Sequence, residues 1–184
     1  MLTFIDYKTF YPKLQLLIDN YDDIRKEYDE CKYNLSWKLM HWDAGYSTEG
    51  TPKDIGWKTV PLFFNKEFLE ESKYLPTLTS TIKEIKTTHR GGLLSLNPYC
   101  ELPWHKDFDE PNKNGNLVIR VLWGLDVPVE EGKVSYIEVE NEKRIFKNNE
   151  FYIFSSLSNH RVMNEMSQER IVLGFDILCR IKKS

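Results

Sequence analysis

From residue 7 to residue 31, the apolar positions Phe10, Leu14, Leu17, Tyr21, Ile24 and Tyr28 recur every three or four residues. That spacing lays one apolar stripe along a helix. Residues 37–56 are aromatic but broken by Gly and Thr, and read as irregular. The run Trp57-Lys58-Thr59-Val60-Pro61-Leu62-Phe63-Phe64 reads as extended. Residues 76–85 read as a second, short helix with Pro76 near its start, where a missing N–H costs nothing. After Arg90 the period changes. Strand-like runs at 93–96, 104–108, 117–127, 134–139, 151–154 and 171–178 are separated by turn-rich segments, the most polar of them at 109–116. Helices first and strands afterwards predict one α+β domain over 1–184 with a mainly β core. The short strands suit a double-stranded β-helix, a cupin-like jelly roll, over about 90–180, supported by a helical and irregular region over about 1–90. Neither an internal repeat nor a low-complexity linker is visible.

The composition narrows the class of protein. Hydrophobic residues make up 41% and charged residues 29% of the 184, an ordinary balance for a folded domain. A net charge of -3 without a basic run disfavours nucleic-acid binding. No apolar run approaches the roughly 20 residues of a membrane span. The N-terminal Met1-Leu2-Thr3-Phe4-Ile5-Asp6 lacks the charged and apolar regions of a secretion signal. Cys31, Cys100 and Cys179 are odd in number and widely spaced, and read as free thiols of a reducing compartment. A cytoplasmic location is therefore expected. None of the three forms a C-x-x-C pair, which disfavours a thiolate zinc site.

Candidate chemistry lies in the strand-rich half. His105-Lys106-Asp107 places a histidine and a carboxylate two residues apart, hence on one face of a strand. His160 follows the strand-like run 151–154, whose end can return beside His105 in a rolled sheet. Two histidines and a carboxylate can hold one face of Fe(II) and leave the opposite face open. An isolated H-x-D is common by chance, and a lone His160 would ordinarily be a surface or satisfied histidine. Zinc could also use this donor set. The chain has four histidines, and His41 and His89 are expected outside the strand core.

Arg170, ten residues after His160, opens the run Ile171-Val172-Leu173-Gly174-Phe175-Asp176-Ile177-Leu178. A planar guanidinium there could grip the far carboxylate of a keto-diacid such as 2-oxoglutarate. The plain alternative is a strand-end arginine paired with Glu169 or Glu165. Arg120 lies mid-strand on a face it shares with Val118 and Leu122, and a cation there needs an anionic partner. Co-substrate, an acidic substrate, or a structural Asp or Glu would each serve.

Taken together these residues resemble the aspartyl/asparaginyl β-hydroxylase family of Fe(II)- and 2-oxoglutarate-dependent oxygenases. The resemblance runs from Arg90-Gly91-Gly92 to Ile177. It includes Pro103-Trp104-His105, the 116–125 strand with its internal arginine, Ser158-Asn159-His160-Arg161-Val162-Met163-Asn164, and 169–176. Trp57-Lys58-Thr59-Val60-Pro61-Leu62 looks like the family's pre-core segment. The resemblance implies a double-stranded β-helix, with His105 and His160 as metal ligands and Arg170 on the co-substrate carboxylate. It also implies an active-site role for Arg120. Ser95 matches a serine that assists at the co-substrate, provided one residue is deleted between it and His105. The family's animal protein-modifying members have glycine at the position of Asp107 and histidine at that of Leu122. Asp107 restores a full triad, as in bacterial relatives that hydroxylate free amino acids such as proline. The chain lacks a repeat-type helical domain of the kind the animal enzymes use to hold protein substrates.

The activity so implied is hydroxylation of an unactivated C–H of an amino acid, free or as an aspartyl/asparaginyl residue in a peptide, with Fe(II), 2-oxoglutarate and O2. Trp104, Trp123 and Phe108 are candidates to wall the pocket, although aromatic residues beside a site are more often plain core. A non-catalytic ligand-binding module on the same fold and a zinc-dependent hydrolase are the competing readings.

Overall fold

The computed structural model describes residues 3–39, 56–86, 88–107 and 116–180. The helical stripe forms, but not as one helix. It is divided into α1 (Tyr7–Phe10), a 3-10 turn (Pro12–Leu14), α2 (Gln15–Asp19) and α3 (Tyr21–Cys31). Pro12 explains the first break. It forces Tyr11 out of the helical region, to φ -151° and ψ 82°. The buried positions still follow the predicted periodicity, with Leu14, Leu17, Ile24, Tyr28 and Cys31 turned inward. Helix α4 (Pro76–Ile85) starts at Pro76 as expected and ends on Lys86 in a left-handed conformation, φ 68°.

Two antiparallel sheets make up the rest. The larger has strand order β1 (Lys38–Leu39), β2 (Trp57–Phe64), β4 (Thr88–Leu96), β11 (Arg170–Arg180), β6 (Asn116–Asp126), β9 (Phe151–Ser155), with β3 (Glu67–Phe68) paired to β2. The smaller is β5 (Glu101–His105), β10 (His160–Asn164), β7 (Ser135–Val139), β8 (Glu142–Ile145). β5 begins and ends three residues before the run predicted at 104–108. β3, β8 and β10 are strands that the hydrophobic pattern does not mark.

The larger sheet is covered on both faces, which is why its strands read as nearly continuous apolar runs. Side-chain alternation divides each strand between two cores. On β11, Ile171, Leu173, Phe175 and Ile177 join Val60, Leu93, Ile119, Val121 and Trp123 in one cluster beneath the helices. Val172, with Leu96 and Leu122, joins Leu102, Ile137 and Val162 of the smaller sheet in a second cluster between the sheets. The residues that interrupt this inner face, Arg120, Arg170, Gly174 and Asp176, are where the chemistry lies. Gly92, next to Gly174 across the β4–β11 pairing, is required by packing. A Cβ there would lie 2.3 Å from the carbonyl oxygen of Val60. No helix among the described residues is long and apolar enough to cross a membrane.

Candidate functional site

The smaller sheet brings the two histidines together. His105 ends β5, His160 begins β10, and the two are direct partners in the antiparallel register. Their ring centroids are 4.2 Å apart. Asp107 follows two residues after His105, and its backbone N–H bonds to the Ser156 carbonyl at 3.2 Å. Its Oδ1 lies 3.9 Å from His105 Nε2 and 3.8 Å from His160 Nε2. All three residues are buried to 9% exposure or less.

Backbone carbonyls set the imidazole tautomers. His105 Nδ1 is 2.7 Å from the Pro103 carbonyl, and His160 Nδ1 is 3.0 Å from that of Ser158. A carbonyl only accepts, so each Nδ1 carries a proton, and each Nε2 lies on the side of Asp107. Burial lowers the pKa of His160 to about 4, against the opposing pull of Asp107. The ring is therefore neutral at neutral pH, the form that binds metals. Burial alone would raise the Asp107 carboxyl. Arg120, His160, His105 and Arg90 outweigh it and hold the group below its ordinary value. The donor set of two imidazoles and one carboxylate fits a divalent first-row ion. The ligand atoms of the three residues all lie within 4.8 Å of one another, near enough to close on one ion.

The two arginines differ in what they meet. Arg120 has its Nη2 2.9 Å from Asp107 Oδ2 and its Nε 3.1 Å from Asp176 Oδ1. Of the partners open to it in the sequence, it therefore meets carboxylates of the protein itself. Asp176 also accepts a 2.6 Å hydrogen bond from Arg90 Nε. Arg170 is 3% exposed, and no carboxylate among the described residues lies within ion-pair distance of it. Its guanidinium rests 4.5 Å over the Phe146 ring. Burial lowers its pKa to about 9. The alternative pairing with Glu169 does not form, because Glu169 accepts from Ser95 Oγ at 2.8 Å and faces Lys58 at 3.4 Å.

His105, Asp107, His160, Arg120 and Arg170 all open on one cavity of about 40 Å³ between the sheets, walled by Leu94, Leu96, Leu122, Phe154 and Val172 among others. Leu94 and Arg120 are shared with a second chamber of about 200 Å³, lined by Pro61, Phe63, Phe64, Leu69 and Arg90 above the backbone of Gly92 and Gly174.

Three expected residues are elsewhere. Ser95 lies on the opposite face of β4 from Leu94 and Leu96, across from Ile171 in the helix-facing core, and its hydroxyl is spent on Glu169. A one-residue offset turns a strand side chain to the other face, so the deletion needed to align Ser95 also turns it away from the cavity. Trp123 is likewise in the helix-facing core, edge-on to Tyr21 at 5.6 Å. Trp104 is 41% exposed and lies under the Arg161 guanidinium. Phe108 and His41 fall outside the described residues. His89, expected outside the strand core, lies within β4 against Phe64 and takes no part in the cluster. Arg90 and Asp176 were not predicted as site residues. Their signal was a charge at even spacing from Leu94 and Arg170 in otherwise apolar strands.

The family model described as aspartyl/asparaginyl beta-hydroxylase matches residues 18–179. The chain belongs to that family. It is a hydroxylase, and the resemblance read from its C-terminal half extends over nearly its whole length. Among curated proteins, none matches this hydroxylase significantly in sequence. Solved structures with the same fold include a prolyl hydroxylase from Trichoplax adhaerens in complex with a hypoxia inducible factor peptide fragment. It has TM-score 0.56 and 10% identity, with 94% of each chain covered. A 2OG-Fe(II) oxygenase family oxidoreductase from Burkholderia pseudomallei has TM-score 0.52 and 12% identity, covering 87% of this chain and 79% of the other. At these identities the likeness establishes the double-stranded β-helix fold.

Proposed function

We propose that this hydroxylase uses Fe(II), 2-oxoglutarate and O2 to hydroxylate an unactivated C–H of an amino acid, free or within a peptide. The observation that carries the reading is Arg170, a buried cation without a carboxylate among the described residues, open to the same small cavity as the His–Asp–His cluster. A buried guanidinium that lacks an anion is a site prepared for one.

In this reading His105, Asp107 and His160 hold one face of the ion, and their protonated Nδ1 atoms fix both rings. Ferrous iron, when bound, supplies the oxidising chemistry with 2-oxoglutarate and O2. Arg170 pairs with the distal carboxylate of the co-substrate. Leu94, Leu122, Phe154 and Val172 exclude water around it, which strengthens that pairing. The larger chamber, which shares Leu94 and Arg120 with the smaller, holds the primary substrate. Its walls of Pro61, Phe63, Phe64 and Leu69 suit an apolar body, and its volume suits one residue or a short segment of peptide.

The test is conversion of 2-oxoglutarate to succinate by iron-loaded protein, with free amino acids and with peptide pools, beside calorimetric binding of the co-substrate. Turnover that requires iron and disappears in His105→Ala is expected. Neither turnover nor binding of 2-oxoglutarate under any of these conditions would end the proposal. Zinc-dependent hydrolysis surviving Arg170→Ala would replace it.

A further inference from the structure

Asp176 is the most deeply buried carboxylate in the described residues, and neither of its contacts is with the triad itself. It lies directly opposite Arg120 in the β11–β6 register, so the sheet sets the two side by side. One of its oxygens faces Arg120 Nε at 3.1 Å and the other accepts from Arg90 Nε at 2.6 Å. At its other end, Arg120 places Nη2 2.9 Å from Asp107 Oδ2. Neither Arg120 contact has the alignment of a hydrogen bond, so both are charge pairing rather than a fork laid on a carboxylate. The result is a row of alternating charges, Asp107, Arg120, Asp176, Arg90, leading away from the histidines.

The two oxygens of Asp107 consequently have different surroundings. Oδ2 faces the guanidinium, while Oδ1 faces both imidazole Nε2 atoms. A guanidinium left alone with one carboxylate in a buried site tends to pair with both of its oxygens. Such a fork on Asp107 would take the oxygen an ion needs. Asp176 draws the Nε edge of Arg120 away and divides its charge between two carboxylates.

We propose that Asp176 is a positioning residue, which through Arg120 presents Asp107 Oδ1 to the metal ion and keeps Oδ2 out of its coordination. This rests on the metal-site reading above. Asp176 is separated from the donor atoms by the arginine, so its effect passes through that side chain. Removing its charge shifts the pull of Arg120 toward Asp107 and weakens the triad as a ligand set.

Cobalt(II) titration of the full chain, followed by visible absorption and calorimetry, tests the arrangement without catalysis. Asp176→Asn is expected to weaken cobalt binding roughly 10- to 100-fold, the usual cost of losing a supporting partner of a metal ligand. In an Arg120→Gln background the same change is expected to do nothing further, to within about threefold, because its route to Asp107 is already cut. Unaltered affinity in Asp176→Asn overturns the proposal, as does an equal loss in both backgrounds. Should Asp176→Asn fail to fold, Arg120→Lys carries the test. An ammonium carries its charge on one atom and lacks the separate Nη2 and Nε edges that face the two carboxylates, so tenfold or greater loss is expected and unchanged affinity overturns the idea. Failure of the unmodified chain to bind cobalt would instead sink the metal-site reading, which separates the two outcomes.

Discussion

Replacing Arg170 by methionine is expected to stabilise the protein and destroy its affinity for 2-oxoglutarate. Burial pulls the Arg170 guanidinium far below its ordinary range, down to about 9, and Tyr152 offsets only part of that. The group is still charged at pH 7, so the displacement measures how poorly the folded protein solvates it. A change of that size is worth about 5 kcal/mol. The aromatic face of Phe146 and local relaxation return some of this. Exchange of buried ionic groups for apolar ones of like volume recovers about 1–4 kcal/mol. For a chain of this length that is a rise in Tm of roughly 2–16 °C. The assay is thermal and urea unfolding of the parent and Arg170→Met, each with and without 2-oxoglutarate in the presence of cobalt(II). At a hundred times Kd the ligand should add about 2.7 kcal/mol to the parent. The variant should start higher and gain nothing. A variant less stable than the parent would mean that the cation already has an anionic partner in the fold. A ligand-induced rise that survives the substitution would mean that the co-substrate is held elsewhere. Either result refutes the reasoning.

Acidification should weaken the protein through His160, whose folded pKa of about 4 lies below its ordinary 6.5. Between those values the unfolded chain binds the extra proton, so stability falls as the pH drops from about 7 to about 4, by about 3 kcal/mol. Urea midpoints across that range check it, and a His160→Gln variant should lose the slope. Asp107 contributes in the same direction but further down, below its ordinary 3.8, because its folded value is depressed. Gly92→Ala should lower stability by about 1–3 kcal/mol by driving a methyl into the Val60 carbonyl, and a urea midpoint equal to the parent's would contradict the close approach of β2 and β4.

The sequence carried the donor set because its clues are local. A two-residue spacing places His105 and Asp107 on one face whatever the rest of the fold does, and His160 sits beside a strongly apolar strand. The helical stripe was legible in its burial but not in its continuity, since Tyr11 and Pro12 break the backbone without disturbing the periodicity. Strands β3 and β8 carry little apolar signal, and in β10 the buried positions 160, 162 and 164 include only one apolar residue, Val162. Glu142–Ile145, with Lys143 and Arg144 between its ends, alternates half-exposed and exposed positions and buries none, so it has no apolar alternation to detect. Register was the other missing quantity. Ser95 is expected at the cavity from the family resemblance and Trp123 as a pocket wall, yet parity along β4 and β6 sends both to the helix-facing core. Parity also identifies Asp176 as a companion of Arg170 and Arg120, but only once the β11–β6 pairing is known.

That same parity explains how a small fold tolerates so much charge in its interior. The strands β4, β6 and β11 give one face entirely to the helices, and that face is apolar without exception at the β11 positions Ile171, Leu173, Phe175 and Ile177. The apolar burial there is large enough to carry polar residues on the inner face, where Arg90, Arg120, Arg170 and Asp176 alternate with aliphatic side chains. Arg90 and Arg120 are neutralised by Asp176 and Asp107, so their burial is compensated within the protein. Arg170 differs in having an aromatic ring where the others have carboxylates. Had its role been structural, an acidic neighbour at Leu96 or Val172, on the same face, would have removed the cost. Those positions instead hold hydrocarbon that borders the cavity, so the charge is exposed to whatever anion enters it. In the proposed reading, a cation kept without a carboxylate beside His105, Asp107 and His160 costs the folded protein stability that an entering keto-diacid would return as binding energy.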